Sequence, residues 1–167
     1  MTTPSERSAI SRDRASLVAR IEAFLDAQHV MTLATRGESG AHAASLMYAR
    51  RGLTLHWTSD PATRHSRELE ADARAGATVA PDYADFRAIV GAQIEGRAER
   101  IGDAREAQAA RDLLAQRYAF LAEVASGPPA LRAALDKAAC YRLVPLRITL
   151  IDNTRGFGHK EVLELER

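Results

Sequence analysis

The sequence predicts a mainly β, α+β fold in which six to seven antiparallel strands curl into a small barrel flanked by helices. Three observations point there. Helical and alternating patterns follow one another in the order α, βββ, α, ββ, αα, ββ, without the strict βαβ alternation of a doubly wound sheet. The first three strand candidates are separated by short turns rich in Gly and polar residues, as antiparallel neighbours require. A long strand candidate, Ile89–Ile101, carries Gly91 and Gly96 inside it, and a barrel strand needs such places to bend.

The elements follow in order. Residues 1–12 are rich in Ser, Thr and Arg without periodicity and read as a flexible N-terminal tail, leaving 13–167 as a single domain. Asp13 reads as the N-cap of a first helix, because Leu17, Val18, Ile21, Phe24 and Leu25 then share one face. Val30–Arg36, Ala41–Arg50 and Leu53–Thr58 read as a three-stranded meander, turned at Gly37-Glu38-Ser39-Gly40 and at Arg51-Gly52. Leu53, Leu55 and Trp57 alternate inward on the third strand.

After Ser59-Asp60-Pro61 the segment Ala62–Ala73 reads as a short helix, ended by Gly76, with Ala77–Ala80 as a strand. Asp103-x-x-Glu106 opens a helix in the manner of a capping box, with Ala107, Ala110, Leu114 and Tyr118 along one side. A second helix follows Pro128-Pro129. Ala139–Val144 and Leu146–Asp152 close the barrel as two strands, with Pro145 as a bend or an edge between them.

Composition narrows the function. A chain of 167 residues with 46% hydrophobic and 27% charged residues can bury a real core. Its 23 Lys and Arg nearly balance 22 Asp and Glu, for a net charge of +1, so no global field recruits nucleic acid or an anionic membrane. An anionic ligand must then be gripped locally. No run reaches the roughly 18 apolar residues of a membrane span, and Cys140 stands alone as a core residue of a reducing compartment. The expectation is a cytoplasmic protein.

One segment supplies such a grip: Leu55-His56-Trp57-Thr58-Ser59-Asp60-Pro61-Ala62-Thr63-Arg64-His65-Ser66. A strand ends in two hydroxyls, the chain turns back, and a helix begins with Thr63, Arg64 and His65. Helix N-termini present unsatisfied N–H donors at the positive end of a dipole, and Arg offers a fork matched to phosphate oxygens. The same residues also serve as an ordinary cap, with Thr63 closing the helix and Arg64 solvated.

With the later Gln93-Ile94-Glu95-Gly96-Arg97-Ala98-Glu99-Arg100, this pattern resembles the pyridoxamine 5′-phosphate oxidase-like family of FMN-binding split barrels, over roughly residues 17–152. The resemblance implies an FMN-dependent oxidoreductase working as a homodimer, with sites at the subunit interface. It places the FMN phosphate on Thr58, Ser59, Thr63, Arg64 and His65. His65 stands where the family commonly has Lys, and with a pKa near 6.5 it makes phosphate binding pH-dependent. It sets the isoalloxazine against the backbone of Ala44, Ser45, Leu46 and Met47 and puts Gln93 near the ring from the other subunit, with Trp57 as a further candidate of lower rank. Residues 41–49 carry no Arg or Lys to match the oxidase's basic strand, and its C-terminal substrate segment has no counterpart, so vitamin B6 oxidation is not implied.

The ending Asp152-Asn153-Thr154-Arg155-Gly156-Phe157-Gly158-His159-Lys160 resembles an uncharacterised branch of the same superfamily. Two glycines allow unusual dihedrals, so the loop either folds over a ligand with Arg155, His159 or Lys160 facing it, or simply ends the barrel. The five histidines lack H-x-x-x-H spacing, and no metal site is expected. There is no G-x-G-x-x-G, P-loop or G-x-S-x-G motif. The rival readings are a non-catalytic haem- or flavin-binding protein, with His159 or His42 as axial ligand, a deazaflavin-using reductase, and a ligand-free interaction domain.

Overall fold

A computed structural model describes residues 4–165, with side chains from residue 13 onward. The expected tail over residues 1–12 falls partly outside the described residues, at 1–3. The first helix, α1 (Pro4–Ala27), begins upstream of Asp13, which lies inside it and is not its cap.

Eight antiparallel strands follow: β1 (Val30–Gly37), β2 (Gly40–Met47), β3 (Ala49–Arg51), β4 (Thr54–Ser59), β5 (Arg74–Val79), β6 (Val90–Arg100), β7 (Ala139–Asp152) and β8 (Lys160–Glu164). Helix α2 (Arg64–Ala71) lies between β4 and β5, and α3 (Ala104–Arg117), α4 (Phe120–Ser126) and α5 (Pro129–Lys137) separate β6 from β7. The fold is the expected split antiparallel barrel with flanking helices.

The strand order is β2-β1-β5-β6-β7-β4-β3, with β8 added to β7. This corrects the meander. The second expected strand breaks at Tyr48, so β2 stays beside β1 while β3 and β4 cross to the other end of the sheet. The two end strands are neighbours in sequence, and among the described residues no ladder joins them. Their meeting at Tyr48 curls the sheet round and leaves it split. The Tyr48 side chain is fully buried there, donating to the Leu25 carbonyl at 2.7 Å, while the Tyr118 hydroxyl donates to the Tyr48 carbonyl. Arg117 caps the end of α1 through the Asp26 carbonyl at 2.9 Å.

The core lies inside the curl, where Met31, Leu33, Leu55, Trp57, Tyr141 and Ile148 are fully buried. Each such side chain contributes about 1.5–3 kcal/mol. Trp57 and Tyr141 sit opposite each other on β4 and β7 and stack at 5.6 Å between ring centroids.

Several boundaries differ from expectation. Helix α2 ends at Ala71, with Asp72 as its C-cap, and Gly76 lies within β5 opposite Ala34. The two closing strands are one strand, β7, because Pro145 sits opposite Gly96 at an irregularity between Glu95 and Gly96, where no ladder donor is needed. Gly96 marks the bulge its place in the sequence suggested. Asp103 caps α3 by accepting from the backbone N–H of Arg105 and Glu106, both at 2.9 Å. The capping box is not reciprocal, since Glu106 turns to Arg142 at 3.0 Å.

Candidate functional site

Helix α2 covers one end of the barrel and buries His65, Ser66, Glu68 and Leu69. It starts there because Asp60 and Pro61 turn the chain back: Asp60 Oδ1 accepts from Ala62 N at 2.7 Å, and its carbonyl accepts from Thr63 N at 3.0 Å. Thr63 is the N-cap but makes no side-chain cap bond. Its hydroxyl donates to the Asp60 carbonyl at 2.9 Å and meets Ser66 Oγ at 2.8 Å. The first turn of α2 therefore keeps its N–H donors and has no acidic side chain.

In front of that turn three polar side chains meet. Ser59 Oγ lies 2.7 Å from His65 Nε2, Thr63 Oγ1 lies 3.2 Å from the same nitrogen, and the two hydroxyls are 3.3 Å apart. The His42 ring, on β2, stacks almost parallel to that of His65, with centroids 6.5 Å apart. Burial, and then the neighbouring His42, push the His65 pKa below its ordinary value, against the pull of Glu68.

Arg64 does not join this group. Its Nε donates to Glu68 Oε1 at 2.7 Å, and a terminal nitrogen reaches the Gly40 carbonyl at 3.3 Å. Glu68 is held from the other side by Thr35 Oγ1, at 2.5 Å. The bonds from Thr35 and Arg64 keep its carboxyl below the usual range. Thr35 is a buried polar residue on the core face of β1, so the pair locks α2 to the barrel. Sequence patterning missed Thr35 and Glu68. The one visible signal was the i, i+4 spacing of Arg64 and Glu68.

The other expected residues divide. Thr58 points to the opposite side of β4 from Ser59 and lines a crevice against Leu114, Leu121 and Leu135. Trp57 fills the barrel interior, fully buried, and does not reach the Ser59 cluster. On β2, Ala44 and Leu46 are half-buried while Ser45 and Met47 are exposed on the outer face. Gln93 is exposed on the outer face of β6, between Thr78 and Thr149.

The C-terminal turn is built as a strut. Glu161 takes two bonds of 2.6 Å from Arg20, one of 2.6 Å from Arg155, and lies 3.3 Å from His159 Nε2. Arg155 and His159 are thereby turned toward α1 and β8. Gly156 and Gly158 adopt positive φ, and Asn153 Oδ1 accepts from Gly158 N at 3.0 Å. Lys160 is exposed at the start of β8. Phe157, 84% exposed, meets Phe86 edge to face at 5.5 Å.

The pyridoxamine 5′-phosphate oxidase family matches residues 17–145, most of the chain. The chain belongs to this family. A search of the curated proteins finds no match. Solved structures share the fold. A heme binding protein from Mycobacterium smegmatis is 22% identical with a TM-score of 0.64, over 82% of this chain and 53% of that one. The chain thus spans about half the length of that relative. A conserved hypothetical protein from Mycobacterium tuberculosis is 21% identical with a TM-score of 0.68, over 89% and 91%. An FAD-binding protein from Mesorhizobium loti is 21% identical with a TM-score of 0.58, over 76% and 88%. At these identities the likeness to each structure is one of fold. Among the described residues, this member of the pyridoxamine 5′-phosphate oxidase family has no helix long and apolar enough to cross a membrane.

Proposed function

We propose that the chain is an FMN-binding oxidoreductase that holds the flavin by its phosphate at the start of α2 and transfers electrons or hydride to a small-molecule substrate in the cytoplasm. The observation that carries this reading is the convergence of Ser59, Thr63 and His65 on one point before an uncapped helix N-terminus, with contacts of 2.7–3.3 Å. The donor set fits the group. Two hydroxyls, an imidazole and the free N–H groups of a first turn without acidic side chains suit a phosphate dianion.

In this reading Ser59, Thr63 and His65 donate to phosphate oxygens. Arg64 acts through Glu68 as a positioning residue, fixing α2 against β1. Thr58, on the other side of the strand, contributes through its backbone alone. The small residues of β2, Ala44 and Ser45, let a flat ring approach the backbone. Gln93 and the outer face of β6 complete the site from the partner in a homodimer, and 13–167 act as one unit. When bound, the flavin supplies the redox chemistry, while the protein orients it and excludes water.

Of the two histidines named for a haem, His159 has its Nε2 turned to Glu161 at 3.3 Å, which leaves His42 to carry that alternative. No residue selects a deazaflavin. The test is the absorbance spectrum of the purified protein before and after adding FMN and dialysing. Retained flavin bands, lost in the Ser59→Ala/Thr63→Ala variant, support the assignment. A Soret band in their place, or no retained chromophore, overturns it.

A further inference from the structure

On the opposite side of β4 from the Ser59 cluster, the outer face of β3, β4 and β7 and the edge of α3 form the walls of an open cavity of about 440 Å³. It exists because α3 presents small residues there. Ala110, Leu114 and Tyr118 anchor the helix to the barrel in two small clusters, with Cys140 and Ala49. The neighbouring edge of α3, Arg105, Ala109 and Leu113, lines the cavity, with Leu113 also packed against the cluster of Ala49, Leu114 and Tyr118. The volume falls in the range of small-molecule sites, which are largely apolar with a few placed polar groups.

The lining divides the same way. Ile101, Ala109, Ala110, Leu113 and Val144 form an apolar wall. Three arginines line it from three separate elements, Arg51 from β3, Arg105 from α3 and Arg142 from β7. Arg142 is already satisfied, binding Glu99 at 2.7 Å and Glu106 at 3.0 Å. Among the described residues Arg51 and Arg105 have no ion-pair partner. Three arginines set against Glu99 and Glu106 leave one unit of positive charge, which suits a monoanion better than a phosphate dianion. His56, beside Arg142 on the next strand, is kept neutral by burial and by Arg51 and Arg142, so it adds no further charge.

We infer that this cavity is a second ligand site, for a small hydrophobic carboxylate whose apolar body lies on Ala109, Leu113 and Val144 and whose carboxylate is taken by Arg51 and Arg105. The planar guanidinium fork matches a carboxylate in bidentate fashion, and an arginine without a competing acid keeps its donors for the ligand. The site does not depend on the flavin reading, because β4 separates it from Ser59 and His65.

The test is isothermal titration of the full chain, with and without FMN, using 2-naphthoate as the probe. Uncharged 2-naphthalenemethanol and dianionic 2-naphthyl phosphate serve as comparators. Expected are one equivalent of naphthoate bound whether or not FMN is present, and binding of the alcohol and the phosphate at least about tenfold weaker. The Arg51→Ala/Arg105→Ala variant should lose about tenfold or more in affinity. Ala109→Phe, which fills the cavity, should abolish binding while the circular dichroism of the fold is kept. Absence of binding at millimolar naphthoate overturns the inference. So do competition by FMN, tighter binding of the phosphate, or an affinity unmoved by both variants.

Discussion

Ser59 Oγ and His65 Nε2 lie 2.7 Å apart across the first turn of α2, joining the end of a barrel strand to the start of the helix that covers it. His65 is buried, its pKa is depressed, and its ring faces another imidazole, His42. Without a ligand the folded protein therefore resists protonating it. The unfolded chain takes up a proton near pH 6.5, and the folded chain only at lower pH. Between those values the unfolded state binds more protons, so stability is fully present above about pH 6.5 and falls as the pH drops below it. Thermal midpoints at pH 7.5 and 5.0 should fall further in the wild type than in His65→Gln. Equal falls would remove His65 from the account. His56, also depressed by burial, contributes to both proteins alike and cancels from the comparison.

A bound phosphate reverses that preference. Its negative charge beside His65 favours the imidazolium, so FMN binding should take up a proton, and affinity should rise from pH 8 to pH 6. Flavin fluorescence titrations across this range measure it directly. His65→Gln corrects for ionisation of the phosphate itself, and should show a flatter profile with weaker binding throughout. Profiles of equal slope would mean that the phosphate is seated elsewhere.

Glu161 gives a second, separable pH dependence. Arg20 chiefly, with help from His159 and Arg155, holds its carboxyl down at about 2. A depressed carboxylate pKa contributes stability that is present above the unfolded value and lost as the pH falls toward the folded one. The window is therefore roughly pH 4.5 down to 2, below that of His65. Glu161→Gln should lower stability at neutral pH and flatten the acid limb of a urea-midpoint profile. An unchanged limb would show that the strut between α1 and the C-terminal turn carries no stability.

The bulge at Gly96 is a steric requirement. A Cβ there would stand 2.3 Å from the Val144 carbonyl oxygen and 3.0 Å from Pro145 Cα, both backbone atoms that cannot rotate away. Gly96→Ala should cost about 3 kcal/mol or more, at the upper end of overpacking effects, since β6 and β7 must separate to admit it. Gly76→Ala is the control, because its Cβ would meet only the Ile94 carbonyl oxygen, at 3.5 Å. Urea denaturation of the two variants separates a bulge requirement from the general cost of replacing glycine in a strand.

Much of this was legible in the residues. The alternation of Leu55 and Trp57, the glycines of β6 and the Asp103 cap all act through neighbours close in sequence. The parts that were not legible depend on distant partners. Tyr48 ends β2 because its side chain must reach Leu25 and its carbonyl Tyr118, and no local pattern announces that crossing. Helix α4 was not foreseen, since it is short and buries no residue. At the site, the segment from Ser59 to His65 could be read as a phosphate grip, but the direction of Arg64 could not. That direction is set by Glu68, whose carboxylate is in turn held by Thr35 on a strand formed some thirty residues earlier.

The outer face of β1 and β2 bears on assembly. Val30 and Met47, opposite each other in the ladder, are 47% and 41% exposed, and small residues, Thr32, Ala34, Ala43 and Ser45, continue the surface along both strands. A flat, nearly uncharged face of this kind suits a second copy of the same surface, as a two-fold contact requires. In the proposed homodimer a charge placed at its centre would be buried without a partner. Ala43→Arg should therefore shift the protein from dimer to monomer in light scattering at micromolar concentration, and flavin retention should fall with it, because Gln93 of the partner subunit would be withdrawn. A dimer that survives both Ala43→Arg and Met47→Glu would place the interface on another face. A monomer that keeps its flavin at wild-type affinity would show that one chain holds the cofactor alone.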